Sequence, residues 1–226
     1  MNVRLISYSK APDNVHLENC QELVAYCARV SNPSNQMNEA TSEKLIKYLI
    51  KHKHWSPLEM VSACLEIETT RDIAHQIVRH RSFAFQEFSQ RYAKPEDMGD
   101  ARVLREARFQ DPKNRQNSIA LDRNDEAQRR LNEDFQMKQA NLYSQAQDVY
   151  NWAINNGIAK EQARVVLPEG NTKTKLYMNG SLRSWVHYIE LRGANGTQLE
   201  HMEIAQQCAT VIAEIFPLME KLDEIN

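Results

Sequence analysis

Glycine and proline are scarce in this chain, at 6 and 7 of 226 residues. That excludes collagen-like and low-complexity architectures and favours helix. No charge sign dominates: 28 Lys and Arg stand against 30 Asp and Glu, a net charge of -2. A surface built throughout for nucleic acid or acidic lipid is therefore excluded, although a local basic pocket is not. The four cysteines, Cys20, Cys27, Cys64 and Cys208, form no C-x-x-C pair. They read as reduced, buried, small apolar groups, with Cys20 and Cys27 on one face of a helix. No stretch approaches the roughly 20 apolar residues of a membrane helix, and MNVRLISYSK has no signal-peptide core. The expected location is the cytoplasm, without a membrane partner. His52, His54, His75, His80, His187 and His201 show no H-E-x-x-H or other ligand spacing, so no metal is expected.

The length suits one domain spanning 1–226. Residues 2–8 read as a short strand, and Leu17, Cys20, Leu23, Val24, Cys27 and Ala28 repeat at helical spacing over 17–30. A helix follows Thr41 or Ser42 as cap. In VSACLEIE, Val61, Ala63, Leu65 and Ile67 alternate with Ser62, Cys64, Glu66 and Glu68, the pattern of a half-buried strand. Thr69 and Asp72 have capping-box spacing at the head of a helix expected to reach position 80. Residues 94–118 are polar and irregular, a long connection of the kind that is functional or mobile.

A long helix is expected over 121–156, ended by Gly157, with Leu131, Phe135, Leu142, Val149 and Trp152 packing in the core or between subunits. A short helix over 160–167, a strand over 172–179, a helix closing at Gly193 and a last helix with a Thr197-x-x-Glu200 capping box complete the chain. The fold class is α+β, a helix-rich mixed α/β domain with a central antiparallel or mixed sheet.

Cations concentrate in RHRSFAFQEFSQRY at 79–92. A helix reaching position 80 would set Gln76, Arg79 and His80 on one face. Glu87, Ser89 and Arg91 alternate as on one face of an extended segment, with Phe88 and Gln90 opposite. Arginine forks and hydroxyls make receptors for phosphate. Two such receptors, Arg79/Arg81 and Ser89/Arg91, suggest two anionic groups held close together. Arg164 stands among Ala163, Val165, Val166 and Leu167, which should be packed. Arg183 and Arg192, about two and a half turns apart, leave opposite sides of an ideal helix. Phe83, Phe85, Phe88 and Tyr92 interleave with these cations, so a single-stranded nucleic-acid-binding protein is the alternative. The missing basic excess weighs against it.

R-H-R followed by seven residues and Ser resembles the signature of the flavin-dependent thymidylate synthases. ARVS at 28–31, HWSPLE at 54–59, QIVRHR at 76–81, EFSQRY at 87–92, ARVVLP at 163–168 and LRSW…LR at 182–192 extend the resemblance over nearly the whole chain, in order. It implies reductive methylation of dUMP to dTMP, with 5,10-methylenetetrahydrofolate as carbon donor, FAD as cofactor and NADPH as reductant. It also implies a homotetramer with sites shared between subunits. By this resemblance Gln76, Arg79, Glu87, Ser89, Gln90, Arg91, Arg164 and Arg192 bind dUMP. Ser31, His54, Ser56, Glu59, Arg79, His80, Arg81, Glu87, Ser181, Arg183, His187 and Gln198 lie on the FAD side.

Arg192 is the residue the resemblance makes catalytic. A fixed guanidinium favours negative charge developing on the pyrimidine, and it cannot act as a base because it stays protonated. No cysteine lies within the anion-binding blocks, which agrees with a mechanism free of a thiol nucleophile. The absence of G-x-G-x-x-G leaves NADPH as a visiting substrate. The chain departs from the family where Ser181-Leu182-Arg183 replaces Asn-Ala-Arg. His187 replaces Asn, Gly196 replaces His and Gln90 replaces Gly, and EGNTKTK at 169–175 carries an inserted residue.

Overall fold

The computed structural model describes residues 1–219. Four antiparallel strands form the central sheet in the order β1-β2-β6-β3: β1 Asn2–Tyr8, β2 Ser62–Thr70, β3 Ala84–Glu87 and β6 Lys173–Ser181. Alternation in β2 sends Ala63, Leu65 and Ile67 into the core, with Leu65 opposite Leu5 on one side and Met178 on the other. The expected solvent face of β2 is less open than its sequence suggests. Glu66 is only 3% exposed, because Arg4 at 2.8 Å and Lys175 at 3.6 Å cover its carboxylate. The hydrogen bond from Arg4 holds that carboxyl below its ordinary range.

Helices α1 (Cys20–Ala28), α2 (Ser42–Lys51), α3 (Arg71–Ile77), α6 (Leu182–Gly193) and α7 (Leu199–Ala213) contribute apolar faces to one core. Trp185 on α6 is fully buried and donates Nε1–H to the Ala63 carbonyl at 3.0 Å. Ser181 caps α6 by accepting from the Ser184 amide. A Cβ on Gly180 would lie 2.4 Å from the Phe83 ring, so only glycine lets that ring pack on β6 and against Trp185. This contact holds the turn that follows Arg79, His80 and Arg81.

Helix α4 (Glu126–Asn155) is capped by Asp125 and ends ahead of Gly157, whose φ of 79° favours glycine. Its buried face is Gln139, Tyr143, Tyr150 and Ala153. The stripe at heptad spacing is not core: Leu131, Phe135, Leu142, Val149 and Trp152 are 43–61% exposed. Of the two packing partners expected for it, the chain's own core is excluded.

Other expectations are corrected. α3 ends at Ile77, short of position 80, and its N-cap is Thr70, whose hydroxyl bonds Asp72 at 2.6 Å in place of a Thr69 box. α7 begins at Leu199 without a side-chain cap; Thr197 donates to the Leu191 carbonyl and Glu200 is taken by Arg108. Val165 is 83% exposed, not packed. Cys20 and Cys208 are buried, but Cys27 and Cys64 are only partly so.

The long connection contains a hairpin, β4 (Arg108–Gln110) with β5 (Ser118–Ala120), that the sequence reading missed. Upstream of it the backbone is tied down. Gln139 accepts from the Arg105 amide and donates to its carbonyl, both at 2.9 Å, and the Arg105 guanidinium clasps Asp72 at 2.8 Å. A short helix α5 (Lys160–Ala163) links α4 to β6. Among the described residues no helix is long and apolar enough to cross a membrane.

Candidate active site

Three elements bring the central group together: the turn after α3, the last turn of α6 and the start of α7. Arg192 donates from Nε to His80 Nε2 at 2.9 Å. His80 can accept only as a neutral imidazole. Burial, then the charges of Arg192 and Arg79, push its pKa below the ordinary histidine value, so it is neutral at pH 7. The donor at Nε2 leaves its ring proton on Nδ1. With Nε occupied, the Arg192 terminal nitrogens form no hydrogen bond among the described residues.

Beneath this pair lies a buried relay. Gln76 donates from Nε2 to Gln198 Oε1 at 2.8 Å, and Gln198 donates from Nε2 to Glu200 Oε2 at 2.9 Å. Glu200 also pairs with Arg108. On the other side Gln76 Oε1 lies 3.3 Å from His201 Nδ1, and His201 Nε2 lies 3.1 Å from the Tyr188 hydroxyl. His201 is fully buried. Burial first, then Arg192 and His80, lower its pKa to about 4. The fold thus brings Gln76, His80, Arg192 and Gln198 close together. Tyr188 and Arg108 were missed, since nothing in their local sequence marks them, while Glu200 was read only as part of a helix cap and His201 only as a histidine without ligand spacing.

A second group lies where the 3-10 turn Ser56–Met60 meets α6. Glu59 pairs with Arg183, and Trp55 meets His187 in a tilted ring contact with centroids 4.4 Å apart and planes at 59°. Ser56 sits at the head of this turn, and Ser181 uses its hydroxyl as the α6 cap. Arg183 and Arg192 do leave α6 in different directions, one to this turn and the other to His80. Arg79 and Arg81 are exposed, and neither forms an ion pair among the described residues. Ser31 lines a separate cavity of about 470 Å³ with Arg29 and Tyr48, and His54 faces Tyr48 at 6.2 Å. Within one chain these two are not joined to the central group.

The 87–91 segment does not have its expected form. β3 stops at Glu87, and Ser89 starts a turn in which the Tyr92 and Ala93 amides bond its carbonyl. Ser89 and Arg91 therefore do not share a strand face with Glu87. Glu87 accepts from Arg71 at 3.0 Å and Thr174 at 2.9 Å, Gln90 is buried, and Arg91 reaches Glu161 at 3.6 Å. Arg91 and Arg164 stand near α5, with Arg164 half-buried in the turn after it. Phe83 is 9% exposed and boxed by Trp185 and Tyr188. Phe85 packs against the core, so the aromatics do not form a platform for bases.

A cavity of about 870 Å³ opens on the far side of Gln198 between the β4–β5 hairpin and α4, with Arg105, Arg108 and Arg115 in its wall. Only Gln198 among the expected site residues lines it, so size alone does not mark the chemistry. Burial raises the pKa of all four thiols, that of Cys20 to about 11, opposite to what a nucleophile requires. Among the described residues no cluster of histidine, cysteine or carboxylate could hold a metal ion.

A mixed α+β fold in which the exposed Arg79 and Arg81 flank a neutral His80 bonded to Arg192 has the donor chemistry of an anion-binding class of protein. The family model described as thymidylate synthase complementing protein matches residues 12–218, and the chain belongs to that family. It is 47% identical to the probable flavin-dependent thymidylate synthase of Paramecium bursaria Chlorella virus 1, over 98% of both chains. It is 46% identical to the flavin-dependent thymidylate synthase of Synechocystis sp., over 96% of both. The fold is similar to that of the UMP/dUMP methylase PolB from Streptomyces cacaoi bound with 5-Br dUMP. That match has a TM-score of 0.79 and 24% identity, covering 98% of this chain and 93% of that one.

Proposed function

We propose that this chain is a flavin-dependent thymidylate synthase that methylates dUMP to dTMP, with 5,10-methylenetetrahydrofolate as carbon donor and NADPH as reductant. The observation that carries the proposal is Arg192, fixed through Nε on a neutral His80 with its terminal N–H groups unpaired. Such a guanidinium is preorganised for charge that develops on a uracil ring, and it needs no reorganisation when that charge appears. Gln76 is hydrogen-bonded to His201, whose pKa Arg192 helps to lower, and Gln76, Arg79, Ser89, Gln90, Arg91 and Arg164 are the groups to hold the nucleotide. Glu87 supports them by holding Arg71 against β6.

The donor set fits FAD. Arg79 and Arg81 are solvent-facing forks without a carboxylate partner among the described residues, the chemistry a pyrophosphate requires. Ser31, His54, Ser56, Glu59, His80, Ser181, Arg183, His187 and Gln198 supply further donors and acceptors, with Ser31 and His54 contributed across a subunit boundary. When bound, FAD reduced by NADPH supplies the reducing equivalents. The exposed apolar stripe of α4 supports a homotetramer, because a face of this size is covered in a stable assembly.

The test is the visible spectrum of the purified protein with added FAD, followed by anaerobic NADPH with and without dUMP, and then an assay for dTMP. Bound flavin that bleaches at a dUMP-dependent rate, with dTMP formed, supports the proposal. Protein that binds no flavin overturns it.

A further inference from the structure

We infer that Glu161 is a built-in competitor for the nucleotide phosphate: it pairs with Arg91 when no phosphate does, and so sets how tightly substrate and product are held. The inference rests on the proposal that Arg91 and Arg164 hold the phosphate of dUMP, and it adds a residue which that proposal leaves out.

Helix α5 and the turn at 89–93 meet through two contacts of different strength. Lys160 Nζ donates to the Tyr92 carbonyl at 2.9 Å, and the Tyr92 and Ala93 amides close the turn on the Ser89 carbonyl. These bonds dock the turn on α5 without help from the neighbouring carboxylate. The second contact is the ion pair of Arg91 Nε with Glu161 Oε2. At 3.6 Å it is longer than a hydrogen bond, and its side chains are 58% and 51% exposed. An ion pair this open and this long contributes little to stability, so it is exchanged at small cost. Glu87, the other acid of the segment, behaves differently. It accepts from Arg71 at 3.0 Å and from Thr174 at 2.9 Å, and its side chain is only 22% exposed. Glu87 is fixed in the framework, whereas Glu161 can release its arginine.

Arg164 follows Glu161 by three residues, so the two side chains are neighbours on one helical turn. A phosphate that takes up Arg91 by charge-assisted bonds displaces the Glu161 carboxylate but leaves it close by, where like charge opposes the new ligand. dUMP and dTMP carry the same 5′-phosphate, so the penalty falls on substrate and product alike. It weakens both without touching the chemical step, which keeps the product from being retained after methylation. Glu161 tunes affinity through Arg91 and is not a catalytic residue.

The test measures dUMP, dTMP and deoxyuridine binding by calorimetry to the full-length protein supplemented with FAD, in wild type, Glu161→Gln and Glu126→Gln. Glu126, in an exposed pair with Arg130 on α4, controls for the loss of one negative charge. Glu161→Gln is expected to tighten dUMP and dTMP by the same factor, about 3–10-fold, and to leave deoxyuridine, which has no phosphate, unchanged. In turnover the KM for dUMP should fall by a similar factor, a change that lost packing does not produce. Weaker or unchanged dUMP binding in folded Glu161→Gln overturns the inference. So does an equal gain in Glu126→Gln, or a gain for deoxyuridine as large as that for dUMP. Should Glu161→Gln fail to fold, Glu161→Ala is read in its place; should deoxyuridine bind too weakly to measure, the comparison with Glu126→Gln decides. A wild type that binds no dUMP overturns instead the proposal that this is a dUMP site.

Discussion

Acid should destabilise this protein through His201 by an amount that follows from its surroundings. The imidazole is fully buried between Tyr188 and Gln76, with Arg192 and His80 near enough to oppose a further positive charge. Its folded pKa is about 4, against an ordinary value near 6.5 in the unfolded chain. Above pH 6.5 the imidazole is neutral in both states and gives stability no pH dependence. Below it the unfolded state takes up a proton that the folded state refuses, so stability falls as pH falls until the folded imidazole also titrates. The slope is about 1.4 kcal/mol per pH unit, which accumulates to about 3 kcal/mol across that window. His201→Asn keeps a donor near the Nδ1 position and removes the titration. Urea unfolding of both proteins at matched concentration, from pH 7 to pH 4.5, isolates the term as the change in their stability difference. We expect wild type to lose about 2–3 kcal/mol more than the variant over that range. A difference constant to within about 0.5 kcal/mol would refute the reasoning, whatever the variant's stability at pH 7.

Three further outcomes are expected. Arg192→Ala should keep bound flavin but lower dTMP turnover by about 10²–10³-fold. Without the neighbouring charge the His80 pKa should rise, moving any acid limb of residual activity to higher pH; full turnover would remove Arg192 from the mechanism. Arg81→Ala should purify without flavin, and a normally yellow protein would contradict that assignment. Gly180→Ala should destabilise the fold by about 1–3 kcal/mol, because the new methyl meets a Phe83 ring that Trp185 and Tyr188 prevent from retreating. An unchanged thermal midpoint would show that the ring has room to move.

Local signals carried much of the architecture. The alternation at 61–68, the helical spacing over 17–30, Gly157 and the motif blocks led to β2, to the shorter α1, to the end of α4 and to the family, because strand period, helix period and left-handed glycine are properties of neighbouring residues. Charge clustering at 79–92 drew attention to a candidate anion site for the same reason. Where caps were expected the local rule failed: Thr69 and Thr197 have the right spacing, but Arg105 and Arg108 reach in from a distant segment and take Asp72 and Glu200.

Only tertiary structure decided that Arg192 rests on His80, 112 residues away, and that Gln76 meets Gln198 and His201. It also decided that the α4 stripe faces outward and that Glu66 is buried. A hydrogen bond between segments far apart in sequence leaves no periodicity in either of them. Several residues that the fold brings together, Gln76, His80, Arg192 and Gln198, were legible in the sequence, whereas Tyr188 and Arg108 were not. The protonation and orientation that give the site its chemistry came from what the fold packs around them.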